Sequence, residues 1–386
     1  MGESEIRVLR ELSRRLRSEP SYRRGRILSS MCTLPHPLAL KTYMQFIDRN
    51  IGDPGLFPET SEIEKDVIRT LGGWLANPDA CGYIVSGGSE ANLTALWVAR
   101  NAAKKTNPEV ILPKTAHFSF EKAADLLRIK PVYVDTDENF VVKVDEVERA
   151  ISENTVAIVG IAGTTALGTI DPLPELSEIA TRHGVSLHVD AAFGGFVIPF
   201  LKEMGYTLPD FDFRLPGVCS ITVDPHKMGM APIPAGGILF RGEELLKDFG
   251  VKTQYIMGGG ARSRTLGGTR PGASVCAVWA LLKYLGWSGY RRVVRRCMRL
   301  TQKISEEVMR IEGLGLVLPP TMNIVGIRSK SPDVGMLVRE LREMGWAVSS
   351  MQDFMRIVVM PHLTERVVDM FIDALRSIVG RFAHEV

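Results

Sequence analysis

Lys227 occupies an unusual position for a lysine, because it directly follows a stretch of apolar and β-branched residues. The segment "SITVDPHKMG" runs from Ser220 to Gly229, and its first half is typical of a buried strand. Asp-Pro often opens a turn and lysine is usually solvated, so one interpretation is a surface turn. The other interpretation is that Lys227 is a nucleophile held at the carboxyl edge of a sheet.

Asp190 is a second candidate, because it ends the apolar part of "LHVDAAFGG". A carboxylate in such a place loses its hydration at a cost, so it needs a cationic or hydrogen-bonded partner. His188 alternates with Asp190 on one face of the predicted strand, which raises a metal site as an alternative. No third ligand lies at a suitable spacing, so we do not predict a metal. A strand-ending aspartate that caps the next turn is the remaining interpretation.

The segment "SGGSEAN", residues 86–92, lies between a predicted strand and a predicted helix. Glycines let backbone amides approach an anion closely, and the start of a helix favours phosphate. The segment matches neither GxxxxGK[ST] nor GxGxxG. It therefore predicts either a phosphate cradle around Gly88 or a plain helix cap in which Ser89 supplies the oxygen.

Two further loops carry polar side chains that have ordinary explanations when taken singly. "TAHFSFEKAAD" places His117 just before a predicted helix, where a histidine is more often a capping or core residue. "GIAGTTALGTIDPL" ends a predicted strand with the hydroxyls of Thr164 and Thr165, which suit a tight turn.

The elements that must position these residues alternate between short apolar runs and helical patterns from about residue 61 onward. This alternation predicts a mostly parallel sheet covered on both faces, with ligands beyond the carboxyl ends of its strands. A long helical stretch begins at Ala277, with Gly286 and Gly289 marking a break, and a smaller α+β pattern follows. We expect an N-terminal helix and extended segment (1–60), a large cofactor-binding domain (61–280) and a small C-terminal domain (281–386).

Composition excludes several classes of protein. The net charge is +3 among 386 residues, which is too balanced for a protein that mainly binds nucleic acid. No apolar run reaches membrane-spanning length, and we identify no signal peptide. The five cysteines are scattered without a CxxC pair, so we expect neither disulfides nor structural zinc, and a cytoplasmic location.

Taken together, the motifs offer a phosphate cradle, a ring for stacking, a threonine loop, a strand-end aspartate and a strand-end lysine. This is the set that pyridoxal phosphate needs. In order, "SGGSEAN", "HFSFEKA", "GTTALGTID", "HVDAAFGG" and "DPHKMG" resemble the group II pyridoxal-phosphate amino-acid decarboxylases. The resemblance covers nearly the whole chain and implies pyridoxal-phosphate fold type I, the aspartate aminotransferase-like fold. "MCTLPHPLA" and "NIGDPGLFP" bring it nearer to the archaeal L-aspartate/L-tyrosine decarboxylases.

The resemblance implies a role for each matching residue. Lys227 would bind pyridoxal 5'-phosphate covalently, Asp190 would pair with the pyridine nitrogen, and His117 would stack on the ring. The other cofactor-binding residues that it implies are Gly88, Ser89, Thr164, Ala192, His226 and Thr269. Thr269, in "GGTRPG", resembles the segment through which a neighbouring subunit reaches the phosphate, so we expect a homodimer with shared active sites.

Three more residues are implied near the substrate. Arg356, in "FMRIVVMP", matches an arginine that binds the substrate α-carboxylate in related decarboxylases; otherwise it is a satisfied interface arginine. Tyr255 is a candidate for the acid that protonates the α-carbon, on a loosely aligned loop. His36 borders the substrate in relatives and suits more than one side chain.

The resemblance leaves the substrate open between two amino acids. L-Aspartate would give β-alanine for coenzyme A synthesis, and L-tyrosine would give tyramine for methanofuran synthesis. Arg262 and Arg264 bring positive charge to the glycine-rich loop and favour aspartate, unless they are simply solvated or in a dimer contact. A pyridoxal-phosphate lyase of the phosphosphingosine or phosphoserine-tRNA type is the alternative, since "GTRPG" occurs there in similar form. A nicotinamide oxidoreductase lacks its fingerprint here, and a non-catalytic scaffold would not need both Asp190 and Lys227.

Overall fold

A seven-stranded sheet forms the centre of the chain, for which the computed structural model describes residues 2–252, 257, 262–351 and 353–383. The strands in chain order are β1 (Cys81–Val85), β2 (Glu109–Pro113), β3 (Lys130–Val134), β4 (Thr155–Ile161), β5 (Ser186–Asp190), β6 (Val218–Val223) and β7 (Gly236–Phe240). Their spatial order is β1-β7-β6-β5-β4-β2-β3. β7 runs antiparallel to both of its neighbours, and the other pairs are parallel. The mostly parallel sheet predicted from the sequence is therefore confirmed.

Helices precede this sheet and alternate with its strands. In chain order they are α1 (Glu5–Arg15), α2 (Pro37–Gln45), α3 (Pro58–Trp74), α4 (Gly88–Ala103), α5 (Ser119–Leu127), α6 (Val144–Ala150), α7 (Leu173–His183) and α8 (Ile198–Glu203). β4 is buried at every residue, as expected for a parallel strand covered on both faces. A Cβ on Gly160 of β4 would lie 2.3 Å from the Leu173 Cδ2 atom. The glycine therefore lets α7 pack directly on the strand.

The C-terminal part is built around a second, smaller sheet. Its elements, after the short pair β8 (Val251–Lys252) and β9 (Arg262–Ser263), are α9 (Gly272–Met309), β10 (Leu314–Leu316), β11 (Ile324–Ser329), α10 (Val334–Glu343), β12 (Ser349–Met351), β13 (Phe354–Val358) and α11 (Glu365–Ala383). Strands β10 to β13 form an antiparallel sheet in the order β10-β11-β13-β12. α9 is interrupted at Gly286, whose φ of 54° is not helical, so the predicted break lies at this glycine.

We propose a domain boundary near residue 280, inside α9, with residues 1–60 as an N-terminal extension. The largest apolar cluster takes side chains from both sides of this boundary, among them Val223 of β6, Tyr290 of α9 and Ile324 of β11. The two proposed domains would therefore share one core. None of the described helices is long and apolar enough to cross a membrane.

Candidate active site

A cavity of about 420 Å³ lies where several parallel strands end and α4 begins. Lys227, Asp190 and His117 all line it, although they are widely separated along the chain. Carboxyl ends of parallel strands meet at one edge of a sheet, and this explains why residues that follow β2, β5 and β6 converge. The structure thus brings together the three residues that the sequence marked as chemically active.

Lys227 is held in a tight turn that follows the last residue of β6. Its backbone amide donates to the Asp224 carbonyl oxygen at 3.0 Å, and its Nζ atom lies 3.1 Å from Asp224 Oδ2. Burial acts to lower the pKa of the Lys227 ammonium, but the nearby carboxylates of Asp224 and Asp190 outweigh it. The pKa of Lys227 is therefore raised above its ordinary value. The amine is therefore protonated near pH 7 and becomes a nucleophile only when it loses this proton.

Asp224 is a site residue that the sequence interpretation missed. Its side chain is buried, and Oδ1 has no hydrogen-bond partner among the described residues. Oδ2 contacts Lys227 and lies 3.7 Å from Nε2 of His226, another residue of the cavity. The signal was available, because Asp224 ends an apolar strand as Asp190 does. We interpreted it only as the first residue of a turn.

Asp190, the last residue of β5, is fixed by two hydrogen bonds. Oδ1 accepts from the backbone amide of Ala192 at 3.1 Å, and Oδ2 accepts from Nδ2 of Asn92 at 3.0 Å. Neither bond involves a cation, so the carboxylate can still accept from a positively charged partner in the cavity. Both ring nitrogens of His188 are engaged elsewhere, by Ser220 and Asn92. The described residues contain no group of three ligands suited to a metal ion.

His117 lies at the start of α5 with its ring on the cavity wall. Its Nδ1 accepts from the Ser119 backbone amide at 3.2 Å and contacts the Ser119 hydroxyl at 2.9 Å. Burial, more than any other influence, lowers the pKa of His117. The imidazole is therefore neutral near pH 7 and presents an uncharged flat ring.

The cradle at the start of α4 is built from glycines. Gly87 is the N-cap residue and has no side chain to cap the helix. The plain helix cap, in which the Ser89 oxygen accepts a backbone hydrogen bond, is therefore wrong. A Cβ on Gly88 would lie 2.8 Å from Asp224 Oδ2 and 3.3 Å from Ala192 Cβ. Gly88, Ser89 and Ala192 all line the cavity. Since the first amides of a helix lack intrahelical partners, they are available to an anion here.

Arg356 of β13 reaches the edge of this site. Its guanidinium donates to the carbonyl oxygens of Thr165, at 2.8 Å, and of Ser29, while Nε is buried without a partner among the described residues. Burial lowers the pKa of Arg356. The contact with Thr165, which lines the cavity, places the arginine next to it.

Other residues from the sequence analysis lie away from the cavity. Thr164 is buried with its hydroxyl bonded to Thr169, and its neighbour Thr165 lines the cavity instead. His36 accepts from the Leu38 amide at the start of α2 and is not part of the cavity wall. The N-terminal segment reaches the cavity through Met31 instead.

The basic loop residues and Thr269 also lie elsewhere. Arg262 donates to carbonyl oxygens of Asp248 and Gly250, and Arg264 pairs with Glu243. Both arginines line a different cavity, so the argument that they favour aspartate is not supported within one chain. Thr269 is exposed. Tyr255 lies outside the described residues.

The cavity fits pyridoxal phosphate in its charges and its free polar atoms. An amine, an imidazole, a carboxylate that forms no ion pair with the described residues and a glycine-rich helix start surround one space. Thr115 Oγ1 and His226 Nδ1, on residues that line it, are buried without a partner among the described residues. Such atoms are costly unless a polar ligand satisfies them.

The family model for the pyridoxal-dependent decarboxylase conserved domain matches residues 44–330. A protein named L-aspartate/L-glutamate decarboxylase from Pyrococcus horikoshii is 48% identical over 98% of this chain and 99% of its own length. The L-aspartate decarboxylase of Thermococcus kodakarensis is 49% identical over 98% of both chains. A probable L-tyrosine/L-aspartate decarboxylase from Methanothermobacter thermautotrophicus is 48% identical over 93% of this chain and 98% of its own.

Two solved structures have closely similar folds. A Burkholderia pseudomallei sphingosine-1-phosphate lyase superposes with a TM-score of 0.91 at 28% identity, covering 100% of this chain and 92% of its own. A glutamate decarboxylase from Lactobacillus brevis superposes with a TM-score of 0.90 at 23% identity, covering 99% of this chain and 94% of its own. The expected fold type is therefore confirmed.

Proposed function

Because the chain belongs to the family of pyridoxal-dependent decarboxylases, we propose that it converts L-aspartate to β-alanine, a precursor of coenzyme A. It is a carboxy-lyase that uses pyridoxal phosphate. The observation that carries the proposal is the convergence of Lys227, Asp190 and His117 with the glycine-rich start of α4 around one cavity. Aspartate is the substrate that the three reported relatives have in common by name.

The proposed cofactor contacts follow from the cavity walls. Bound pyridoxal phosphate supplies an electron-poor ring that accepts the electron pair left when carbon dioxide departs. Lys227 would provide the amine that holds it, and the α4 amides with Ser89 would hold its phosphate. Asp190 would pair with the ring nitrogen and stabilise positive charge there. His117 and Ala192 would cover the ring, and Thr165, which lines the cavity, would take the place that we first gave to Thr164.

Arg356 is proposed to bind a substrate carboxylate. Its hydrogen-bond partners are carbonyl oxygens, and it forms no ion pair with a described acidic side chain, so its charge is free for a ligand. Its two carbonyl partners orient the guanidinium without neutralising it. A fork of this kind suits bidentate carboxylate binding. Tyr255 is proposed as the acid that protonates the α-carbon, and His36 as a residue that borders the substrate.

We further propose a homodimer with shared active sites. α1 has an apolar stripe, yet Ile6, Leu9 and Leu12 are all exposed. α2 likewise exposes Leu40 and Met44, and Ile47, just after the helix, is exposed too. Apolar helix faces of this kind are normally covered by a partner. Thr269 is exposed on its own chain and would reach the phosphate of the other chain. A cytoplasmic location is proposed from the five free cysteines.

The substrate assignment is tested by carbon dioxide release from aspartate, tyrosine and glutamate at equal concentration. We expect the highest kcat/KM for aspartate. A higher value for tyrosine would contradict the substrate and retain the decarboxylase. If no amino acid reacts but a phosphorylated amine is cleaved, the lyase alternative, to which the Burkholderia structure is similar, replaces the proposal.

A further inference from the structure

Asn92 of α4 connects the two residues that we place on the cofactor ring. It is 1% exposed, and every hydrogen-bonding position of its side-chain amide is occupied. Nδ2 donates to Asp190 Oδ2 and to Ser119 Oγ, each at 3.0 Å. Oδ1 accepts from Thr222 Oγ1 at 2.7 Å and from His188 Nε2 at 3.0 Å. A fully satisfied buried amide of this kind is a rigid junction.

The orientation of the amide is dictated by its partners. An ionised carboxylate such as Asp190 can only accept, so the NH₂ group of Asn92 must face it. The oxygen of Asn92 then faces His188, whose Nε2 must carry the proton. His188 Nδ1 accepts from Ser220 Oγ at 2.8 Å. Burial lowers the pKa of His188 to about 4, so this support is neutral near pH 7.

The second branch of the network runs to His117. Ser119 Oγ accepts from Asn92, so its own proton is directed at Nδ1 of His117, 2.9 Å away. The Ser119 backbone amide donates to the same nitrogen. Two donors on Nδ1 leave it unprotonated and favour the neutral ring. An imidazolium in this place would oppose positive charge on a ring lying against it.

We propose that Asn92 is a positioning residue that orients the Asp190 carboxylate and, through Ser119, fixes the His117 ring with Nδ1 as an acceptor. The inference rests on the proposed function, since it takes Asp190 and His117 as the groups that contact the ring. One amide thereby fixes the position of the carboxylate that would meet the ring nitrogen and the orientation of the imidazole that would lie on the ring face. The helix of Asn92, α4, also begins at the phosphate cradle. The proposed contacts of the cofactor with the cradle, Asp190 and His117 are therefore all connected to this one helix.

The test compares the binding of two probes, pyridoxal phosphate and its 1-deaza analogue, in which C–H replaces the ring nitrogen. Dissociation constants are measured by fluorescence with wild type, Asn92→Leu and Asn92→Ala. Wild type is expected to prefer pyridoxal phosphate, because only this probe can use Asp190. Both variants should lose this preference by about tenfold or more, the value of one charge-assisted hydrogen bond. Two variants are used because the larger apolar side chain strains the site, whereas alanine leaves room for water.

Three controls separate this role from plain packing and from the assignment of Asp190. Thr94→Val removes a buried hydroxyl on the same helix, which among the described residues bonds to the Glu90 carbonyl alone, and should keep the wild-type preference. Asp190→Asn should lose it. Ser119→Ala should keep it while raising the pKa of His117, measured by NMR. If Asp190→Asn loses the preference while both Asn92 variants keep it, the role of Asn92 is refuted. If Asp190→Asn keeps it, the assignment of Asp190 itself is wrong.

Discussion

Replacing Asp224 with asparagine is predicted to convert Lys227 from a charged amine into a partly neutral one in the cofactor-free enzyme. The Asp224 side chain is buried, the Lys227 side chain is 18% exposed, and the two lie 3.1 Å apart. Unit charges at this distance attract by about 5 kcal/mol at an effective dielectric constant of about 20. Asp224→Asn removes this attraction but leaves the burial that disfavours the ammonium. The pKa of Lys227 should therefore fall from its raised value.

The size of the effect on reactivity follows from the same attraction. Asp190 still supports the ammonium, and the new amide dipole retains part of the interaction. We therefore take the net loss as about half of the attraction, or about 2.5 kcal/mol. Each 1.4 kcal/mol is a factor of ten, so the neutral fraction of Lys227 should rise by about a hundredfold. Since only the neutral amine attacks a carbonyl carbon, its reaction rate at pH 7 should rise equally.

The assay is reductive methylation of the cofactor-free enzyme with formaldehyde and cyanoborohydride between pH 6 and pH 10. Methylation of Lys227 is measured by peptide mass spectrometry, with the exposed Lys65 as an internal reference. The wild-type rate should increase over the whole range, whereas the variant should level off at a lower pH. Asp212→Asn, which removes a carboxylate from the remote Arg214 pair, is the matched control. Identical profiles for wild type and Asp224→Asn, with both proteins folded, would refute the reasoning.

Three other changes test the rest of the site. Lys227→Ala should abolish turnover and the yellow colour of the bound cofactor, and borohydride should fix the label on Lys227 in wild type; a label on another lysine would contradict the assignment. Arg356→Gln should lower kcat/KM by about ten- to a hundredfold, mainly through KM, since one charge-assisted contact is worth about 1.5–3 kcal/mol; an unchanged KM would contradict carboxylate binding. His188 has a folded pKa of about 4, below its ordinary value of about 6.5, so wild type should lose stability as the pH falls between these values. At pH 4.5, His188→Gln should remove about 2–3 kcal/mol of that loss in the free energy of unfolding, which is measured with denaturant. An equal dependence of this free energy on pH in wild type and variant would disprove the reasoning.

The sheet and the position of its chemically active residues were predictable because they depend on local patterns. Apolar runs define the strands. Because the carboxyl ends of parallel strands meet at one edge of a sheet, Asp190, His117 and Lys227 are then expected to lie together. Gly286 was identified as a break because glycine adopts the positive φ that interrupts α9 there. The substrate was not predictable from residue type, since Arg262 and Arg264 are engaged away from the cavity.

What the sequence could not supply is the direction of side chains inside turns and across the core. Thr164 and Thr165 are adjacent in the sequence. The hydrogen bond between the hydroxyls of Thr164 and Thr169 holds Thr164 away from the cavity, and Thr165 lines it instead. Asn92 was part of a recognised motif, but its partners lie 27 to 130 positions further along the chain. No local pattern reports contacts at such separations, so the junction appears only when the strands are assembled.

Asp224 has the largest consequence among the residues that the sequence analysis missed. It lies between the α4 cradle, Lys227 and His226, so a phosphate bound at the cradle adds negative charge next to a buried carboxylate. The Lys227 ammonium stabilises Asp224 only while it keeps its proton. When the amine becomes neutral, the imidazole of His226 remains 3.7 Å from Asp224 Oδ2. Burial lowers the pKa of His226 more than the nearby Asp224 raises it, so the imidazole is neutral near pH 7 and does not replace the ammonium as a cation beside Asp224. The positive charge that offsets both Asp224 and a phosphate at the cradle therefore depends on the proton of Lys227.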